Sequence, residues 1–243
     1  ILFANEVDKT YKLPDMLRSI LYGDTVLLIN GSKDALTINT KGWRTRGIKE
    51  PDSERVLQGP REGFDEAAMF NLAMIRRKLL TPDLCIELMR LGRRSDTAVF
   101  ICYLGSLADP ATVKELKKRL SKIDIDGILD SNYIAENIRD SRSSTLKTMG
   151  STERPDIVAA RLLEGRIALV VDGTPVVLTL PYLFSENFQS DEDYYLNFWI
   201  SSLSRMLRWF CFFISVSVPG VFLALITHHF DLLPTNFALS VSG

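Results

Sequence analysis

Histidine is almost missing from this chain of 243 residues: His228 and His229 stand side by side near one end and nowhere else. That excludes a His-based catalytic triad in the long stretch before them and leaves no H-E-x-x-H zinc helix. Phosphate-cradling strings are missing as well, with neither G-x-x-x-x-G-K-[ST] nor G-x-G-x-x-G, and there is no G-x-S-x-G nucleophile elbow. Cysteine is scarce and odd in number: Cys85, Cys102 and Cys211 show no C-x-x-C spacing. Two sit in apolar strand-like runs and one in a long apolar run, so they read as small hydrophobes in a reducing compartment. Excess charge of either sign is lacking too, with a net charge of -1 and a pI near 6.2. Nucleic acid is therefore not an expected partner, since that needs a basic stripe. The acidic run Asp124, Asp126, Asp130 has too few ligands for an EF-hand and no glutamate at its twelfth position, so it reads as a turn before a strand. No catalytic group, cofactor or metal ligand set emerges, and the enzyme class is set aside.

One segment lacks charge altogether. Trp209–Thr227 reads WFCFFISVSVPGVFLALIT, and about 19 residues at roughly 1.5 Å each cross the roughly 30 Å hydrocarbon core of a bilayer. Arg205, Arg208 and Trp209 flank its start, which places the large N-terminal part in the cytosol and membrane lipid among the partners. Pro219-Gly220 interrupt its centre, where proline leaves the Ser215 carbonyl without its helical donor. Such a break suits a helix packed within a bundle better than a plain anchor. Upstream, Ser190 and Asp193 have capping-box spacing, and Tyr195, Trp199, Leu203 and Met206 share a helix face, which predicts a separate amphipathic helix on the bilayer surface. The apolar Phe237-Ala238-Leu239 near Gly243 and the start at Ile1 predict further chain at both ends.

The remainder carries an internal repeat. PDMLRSILYGDTVLLINGSKDALTI from Pro14 and PDIVAARLLEGRIALVVDGTPVVLTL from Pro155 share a plan: a Pro-Asp helix start, a glycine, an apolar strand, a turn and a second apolar strand. Gly23 to Gly31 has the same spacing as Gly165 to Gly173. Asn30-Gly31 and Asp172-Gly173 predict two-residue hairpin turns, with Val26–Ile29 and Ile167–Val171 as equivalent strands. Between the copies the patterns predict a helix over Phe64–Leu80, a strand through Leu84, Ile86 and Leu88, and a strand at Ala98–Leu104. A helix from Pro110 to Leu120 with Val113, Leu116 and Leu120 inward follows, then a short strand at Gly127-Ile128-Leu129, a helix at Tyr133–Ile138 and a polar loop at Ser141–Ser151.

The expected class is thus α/β: two related α/β subdomains with mixed sheets and helices, followed by an amphipathic helix and a transmembrane helix. Their expected bounds are 1–82 for the first subdomain with its connecting helix, 83–186 for the second, and 187–243 for the membrane approach and first span.

Several long strings resemble the A subunit of the spore germinant receptors, the GerA family. They are GPREGFDEAAMFNLAMIRRKL from Gly59, KRLSKIDIDGILDSNYI from Lys118, TERPDIVAARLLEGRIALVVDGTP from Thr152, FQSDEDYY from Phe188 and RMLRWFCFFIS from Arg205. The resemblance singles out Gly59, Pro60, Arg61, Glu62 and Gly63 together with Thr152, Glu153, Arg154, Pro155 and Asp156 as family motifs that couple the subdomains. What it implies is a multi-pass protein of the spore inner membrane with a cytosolic N-terminal region. Its implied partners are a transporter-like B subunit, a lipoprotein C subunit and further copies of itself. The implied role is to couple nutrient sensing to ion release as part of an oligomeric channel. Two alternatives stay open: a non-conducting scaffold, or a divergent paralogue associated with dipicolinic-acid release. Leu146-Lys147-Thr148-Met149 stands where the family usually has a proline-rich loop, and Pro60 stands where that paralogue has alanine.

Overall fold

The computed structural model of this chain describes residues 7–21, 23–32, 34–39, 54, 59–139, 147–190, 193 and 195–228. The expectations for Phe237-Ala238-Leu239, for Leu146 and for most of the polar loop before Lys147 lie outside the described residues. The chain divides into two compact units, Ile1–Phe184 and Ser185–Gly243.

The first unit contains two sheets. In the smaller, β1 (Val7–Thr10), β2 (Thr25–Leu28) and β3 (Ala35–Ile38) lie in the order β1-β3-β2, with α1 (Leu13–Leu21) between β1 and β2 in the chain. The larger sheet holds β4 (Leu84–Leu91), β5 (Thr97–Leu104), β6 (Gly150–Thr152), β7 (Ile167–Val171) and β8 (Val177–Leu180), in the order β4-β5-β7-β8-β6. All of these pairings are antiparallel, where mixed sheets were expected. The physical reason lies in the helix between β6 and β7, α5 (Pro155–Leu163). It carries the chain back to a parallel direction, but β8 slots between the two parallel strands and pairs antiparallel with both.

The repeat extends further than the Pro-Asp strings. A shift of 142 residues, which carries Gly23 onto Gly165, carries the pair Thr25↔Ile38 onto Ile167↔Leu180 and the pair Asp8↔Thr37 onto Gly150↔Thr179. Strand, helix, strand and strand therefore recur in one register. The helix caps recur too. Gly23 N–H donates to the Ile20 carbonyl and Asp24 N–H to Ser19; Gly165 and Arg166 donate likewise to Leu162 and Arg161. This is the Schellman arrangement, and Gly23 and Gly165 provide its left-handed residue with φ of 95° and 83°. The prolines are one position out of step: Pro14 is the second residue of α1, Pro155 the first of α5.

The expected two-residue hairpin turns are not present. Pairing ends at Leu28↔Ala35 in one copy and Leu169↔Leu178 in the other. Gly31 and Gly173 have positive φ but Asn30 and Asp172 do not, so the type I′ turn, which needs both, does not form. Asp172-Gly173 is held instead by other elements. The Asp172 carboxylate accepts from Ala68 N–H, and Gly173 N–H donates to the Glu66 carbonyl.

Helices cover both faces of the large sheet. On one face α2 (Ala68–Lys78) and α5 bury Leu72, Ile75, Val158 and Leu162 against Cys102, Leu104, Ala168 and Val170. On the other, α3 (Pro110–Leu120) and α4 (Ser131–Ile138) bury Val113, Leu116, Leu120 and Ile134 against Val99, Ile101, Leu169 and Val171. Burial on both faces explains why β5 and β7 read as unbroken apolar runs. In the first copy the equivalents of Leu162, Leu169 and Val170 are Ile20, Leu27 and Leu28, at 51%, 40% and 73% exposure.

Other expectations shift locally. α2 starts at Ala68 rather than Phe64, because Asn71 turns back on Asp65, accepting from its N–H and donating to its carbonyl. α3 runs as expected, capped by Asp109, whose side chain accepts from Ala111 and Thr112 N–H. Gly127-Ile128-Leu129 is not a strand: Ile128 N–H donates to Ser95 Oγ and its carbonyl accepts from Thr97 Oγ1, so side chains replace the ladder. The end of the Ser141–Ser151 loop belongs to β6.

Cys102 is fully buried, and burial pushes its thiol up to about 12. Almost no thiolate exists near pH 8, and the thiolate is the nucleophile. Iodoacetamide should therefore leave Cys102 unmodified in the folded protein and alkylate it in urea, while half-buried Cys85 reacts earlier. Peptide mass spectrometry reads both, and equal rates in the folded state would contradict this core.

Candidate functional site

The two motifs that the resemblance singles out meet in space, although 91 residues separate Gly63 from Arg154. Phe64 N–H, directly after the first motif, donates to the Glu153 carbonyl at 2.8 Å. Arg154 holds the centre with a side chain 1% exposed. Its guanidinium makes a two-pronged contact with Asp156, at 3.2 Å from Nε and 2.6 Å from Nη2, and Nη2 lies 3.4 Å from the Pro60 carbonyl. A planar fork suits this task, because it meets a carboxylate and a carbonyl at once. Thr152 Oγ1 accepts from Arg154 N–H and donates to Glu54, whose carboxylate also accepts from Glu153 N–H. Glu62 bonds Arg77 at 2.5 and 2.6 Å, at the end of α2. Gly59 has φ 118°, Gly63 is buried and Arg61 is exposed. Glu62 thus reaches the C-terminal end of α2 rather than its start.

This is a joint made of hydrogen bonds and buried charge, and among the described residues it sets no nucleophile beside a base. The acidic run is also spent on structure. Asp124 is paired to Arg93, the Asp126 carbonyl accepts from Arg94 N–H and Ser95 N–H, and Asp130 caps α4 and accepts from Thr174. Shallow depressions of about 250 and 380 Å³ lie along α3, where Arg119 already donates to Glu115 and to the Ile138 carbonyl. None of the motif residues lines them.

The second unit is dominated by α6 (Phe198–His228), one unbroken helix of 31 residues that contains Pro219. It is long and apolar enough to cross a membrane. Among the described residues, no separate helix starts at Ser190, where one was expected. Ser190 and Asp193 do bond reciprocally, N–H to carboxylate and N–H to carbonyl, but around a short turn. The α-helix starts at Phe198, and Asn197 just before it accepts from Trp199 N–H through its side chain. Sequence reasoning missed this Asn197 cap, although Asn is a favoured cap residue.

Asp193 has a larger role than a cap. Its carboxylate is 1% exposed and accepts from Arg205 Nε at 3.1 Å and from both Arg208 nitrogens at 2.7 and 3.1 Å. Burial pushes its pKa up, but the bonds from Arg208, Ser190 and Arg205 outweigh that and hold it below the usual carboxylate value. Arg208 also donates to the Phe188 carbonyl, and the Phe188 ring stacks on Trp209 at 4.1 Å. Arg205, Arg208 and Trp209, expected to flank a membrane span, are thus all bound by Phe188 and Asp193.

With this geometry in place, comparison with known proteins is decisive. The family described as Bacillus/Clostridium GerA spore germination protein matches residues 1–243. The chain belongs to the GerA family. Spore germination protein KA of Bacillus subtilis is 42% identical over 94% of this chain and 42% of its own length. An uncharacterized membrane protein of the same organism, YfkQ, is also 42% identical, over 93% of this chain and 44% of its own. Among solved structures, the N-terminal domain of the A subunit of the Bacillus megaterium spore germinant receptor GerK3 is 40% identical with a TM-score of 0.55. That match covers 74% of this chain and 64% of the solved one. This GerA-family chain spans less than half the length of both curated relatives.

Proposed function

We propose that this GerA-family chain is the N-terminal region and first membrane span of a spore germinant receptor A subunit. The observation that carries this reading is the 40% identity to the GerK3 A-subunit domain together with α6, a helix long and apolar enough to cross a membrane. In this reading α6 crosses the spore inner membrane with the α/β unit on the cytosolic side. The protein works with transporter-like B and lipoprotein C subunits and further copies of itself, and it couples nutrient sensing to ion release. The joint built on Arg154 supports a relay role. It locks the chain leaving the first repeat to the start of the second, so a load on one side is carried through stiff bonds to the other.

Pro219-Gly220 supply the test. The Ser215 carbonyl lacks a donor at Pro219, and a Cβ at Gly220 would meet nothing within 4 Å. Pro219→Ala with Gly220→Ala therefore fits sterically and raises helix propensity. We expect membrane levels near normal and a strongly reduced release of ions from spores given nutrient. Wild-type release at wild-type protein level would remove Pro219-Gly220 from the mechanism. Nutrient-dependent conductance of the reconstituted full-length protein with its partners tests the channel itself, and a scaffold would pass no current.

A further inference from the structure

Arg205 and Arg208, read as sequence, mark where water ends and lipid begins. The geometry points to a different boundary. We infer that the water boundary falls at Phe198-Trp199, that the first three turns of α6 lie in the lipid headgroup zone and the edge of the hydrocarbon below it, and that Arg205 and Arg208 enter there as a charge-compensated triad with Asp193. This inference rests on α6 being the membrane span.

Three observations carry it. The first is length: 31 residues at about 1.5 Å make about 46 Å, against roughly 30 Å of hydrocarbon and 40–45 Å with both headgroup layers. The helix matches the whole bilayer, and a hydrocarbon span beginning at Trp209 would leave about 16 Å of it outside the hydrocarbon, against roughly 5–8 Å for one headgroup layer. Second, the apolar surface does not stop at the arginines. Phe198, Trp199, Ile200, Leu203, Met206 and Leu207 are between 56% and 78% exposed. They continue the surface formed by Phe210, Phe213 and Ile214 without a gap, so the medium that covers the span fits this part as well.

The third observation is electrostatic. Two free guanidiniums would hold this end of the helix in water or at the phosphates, because an unpaired charge is costly in an apolar medium. Here both point to the carboxylate of Asp193, which is 1% exposed and also accepts from Ser190 N–H. Ser201 Oγ donates to the Asp193 carbonyl, so the buried polar face of these turns is satisfied internally. Phe188 covers Trp209, which leaves Trp199, at 78% exposure, as the tryptophan set to sit in the interfacial belt. Phe188 and Asp193 thus face one side of α6 and lipid faces the other.

Nitroxide labels placed through Trp199→Cys and Phe213→Cys, with Cys85, Cys102 and Cys211 changed to alanine, test the depth in nanodiscs of phosphatidylglycerol and phosphatidylethanolamine. Accessibility to oxygen over that to a water-soluble nickel chelate should be several-fold higher at both positions than for a label at Lys122. A high ratio at 213 with a water-like ratio at 199 overturns the inference and keeps the span. A water-like ratio at 213 removes the span and the inference together. Exclusion of both reagents at 199 assigns the face to a protein partner and also overturns it. Asp193→Asn should lower the ratio at 199 several-fold, because two unpaired arginines draw this end outward; no change would refute the compensating role. Without any cysteine changes, a photoreactive phosphatidylglycerol carrying its diazirine near the headgroup should label the peptide 198–207 of the unmodified protein, and an unlabelled peptide would count against the placement.

Discussion

Arg154→Ala is expected to cost about 3–5 kcal/mol of stability, the range for removing one partner of a buried ion pair. The guanidinium is 1% exposed and Asp156 11%. Truncation would leave a carboxylate with little water to replace two charge-assisted hydrogen bonds, and the Pro60 carbonyl would lose its donor. A chain of this size loses roughly 2–4 °C in Tm per kcal/mol, so the midpoint should fall by roughly 10 °C. Urea denaturation followed by circular dichroism gives the free energy directly. Arg154→Met combined with Asp156→Ala should recover part of the loss, because a neutral apolar pair needs no charge partner. A single-mutant loss below about 1 kcal/mol would place Arg154 among ordinary surface pairs and remove the physical basis for a stiff joint between the motifs.

The consequence for function is specific. If the joint relays force, a variant that keeps the fold but loosens it should separate stability from response. Glu62 is the place for that, since its pair with Arg77 is partly exposed, at 35% and 26%, and contributes little to folding.

What could be read from the residues was mostly local. α3 announces itself through Asp109-Pro110 at its start and Val113, Leu116 and Leu120 at helical spacing, and all three are buried. The repeat was visible because glycines at left-handed positions keep their spacing. Its full extent was not, since Val7–Thr10 and Gly150–Thr152 share almost no residue types and only their register relates them. Long-range polar contacts stayed hidden for the same reason. Asp172 looks like a turn residue, yet it caps α2 from 104 positions away. Ile128 sits in an apolar triplet that reads as a strand, yet Ser95 and Thr97 take up its backbone groups. The motif strings could be named as a resemblance, but that Arg154 reaches the Pro60 carbonyl required coordinates. Asp193 fits a capping box by spacing, and partners 12 and 15 residues further on give it another task.

Gly165→Ala should be among the most damaging small substitutions in the chain, and Gly173→Ala is its internal control. Both glycines are left-handed, with φ of 83° and 91°, so any L-residue at either position bears a strain of about 1–2 kcal/mol. Their surroundings differ. A Cβ at Gly173 would meet nothing within 4 Å, whereas one at Gly165 would lie 2.7 Å from the Leu107 carbonyl oxygen and 3.3 Å from its carbon. That neighbour is backbone and cannot rotate away. Leu107 N–H and Ala108 N–H both bond to the Leu104 carbonyl at the end of β5, so moving it disturbs the turn that leads into α3. Gly173→Ala should therefore cost about 1 kcal/mol and Gly165→Ala about 3 kcal/mol, the excess being the clash. Since the strain is common to both, the difference between the two urea midpoints isolates the contact with Leu107. Equal losses would mean that the backbone around Leu107 yields easily, and that the glycine cap of α5 is kept for its φ alone.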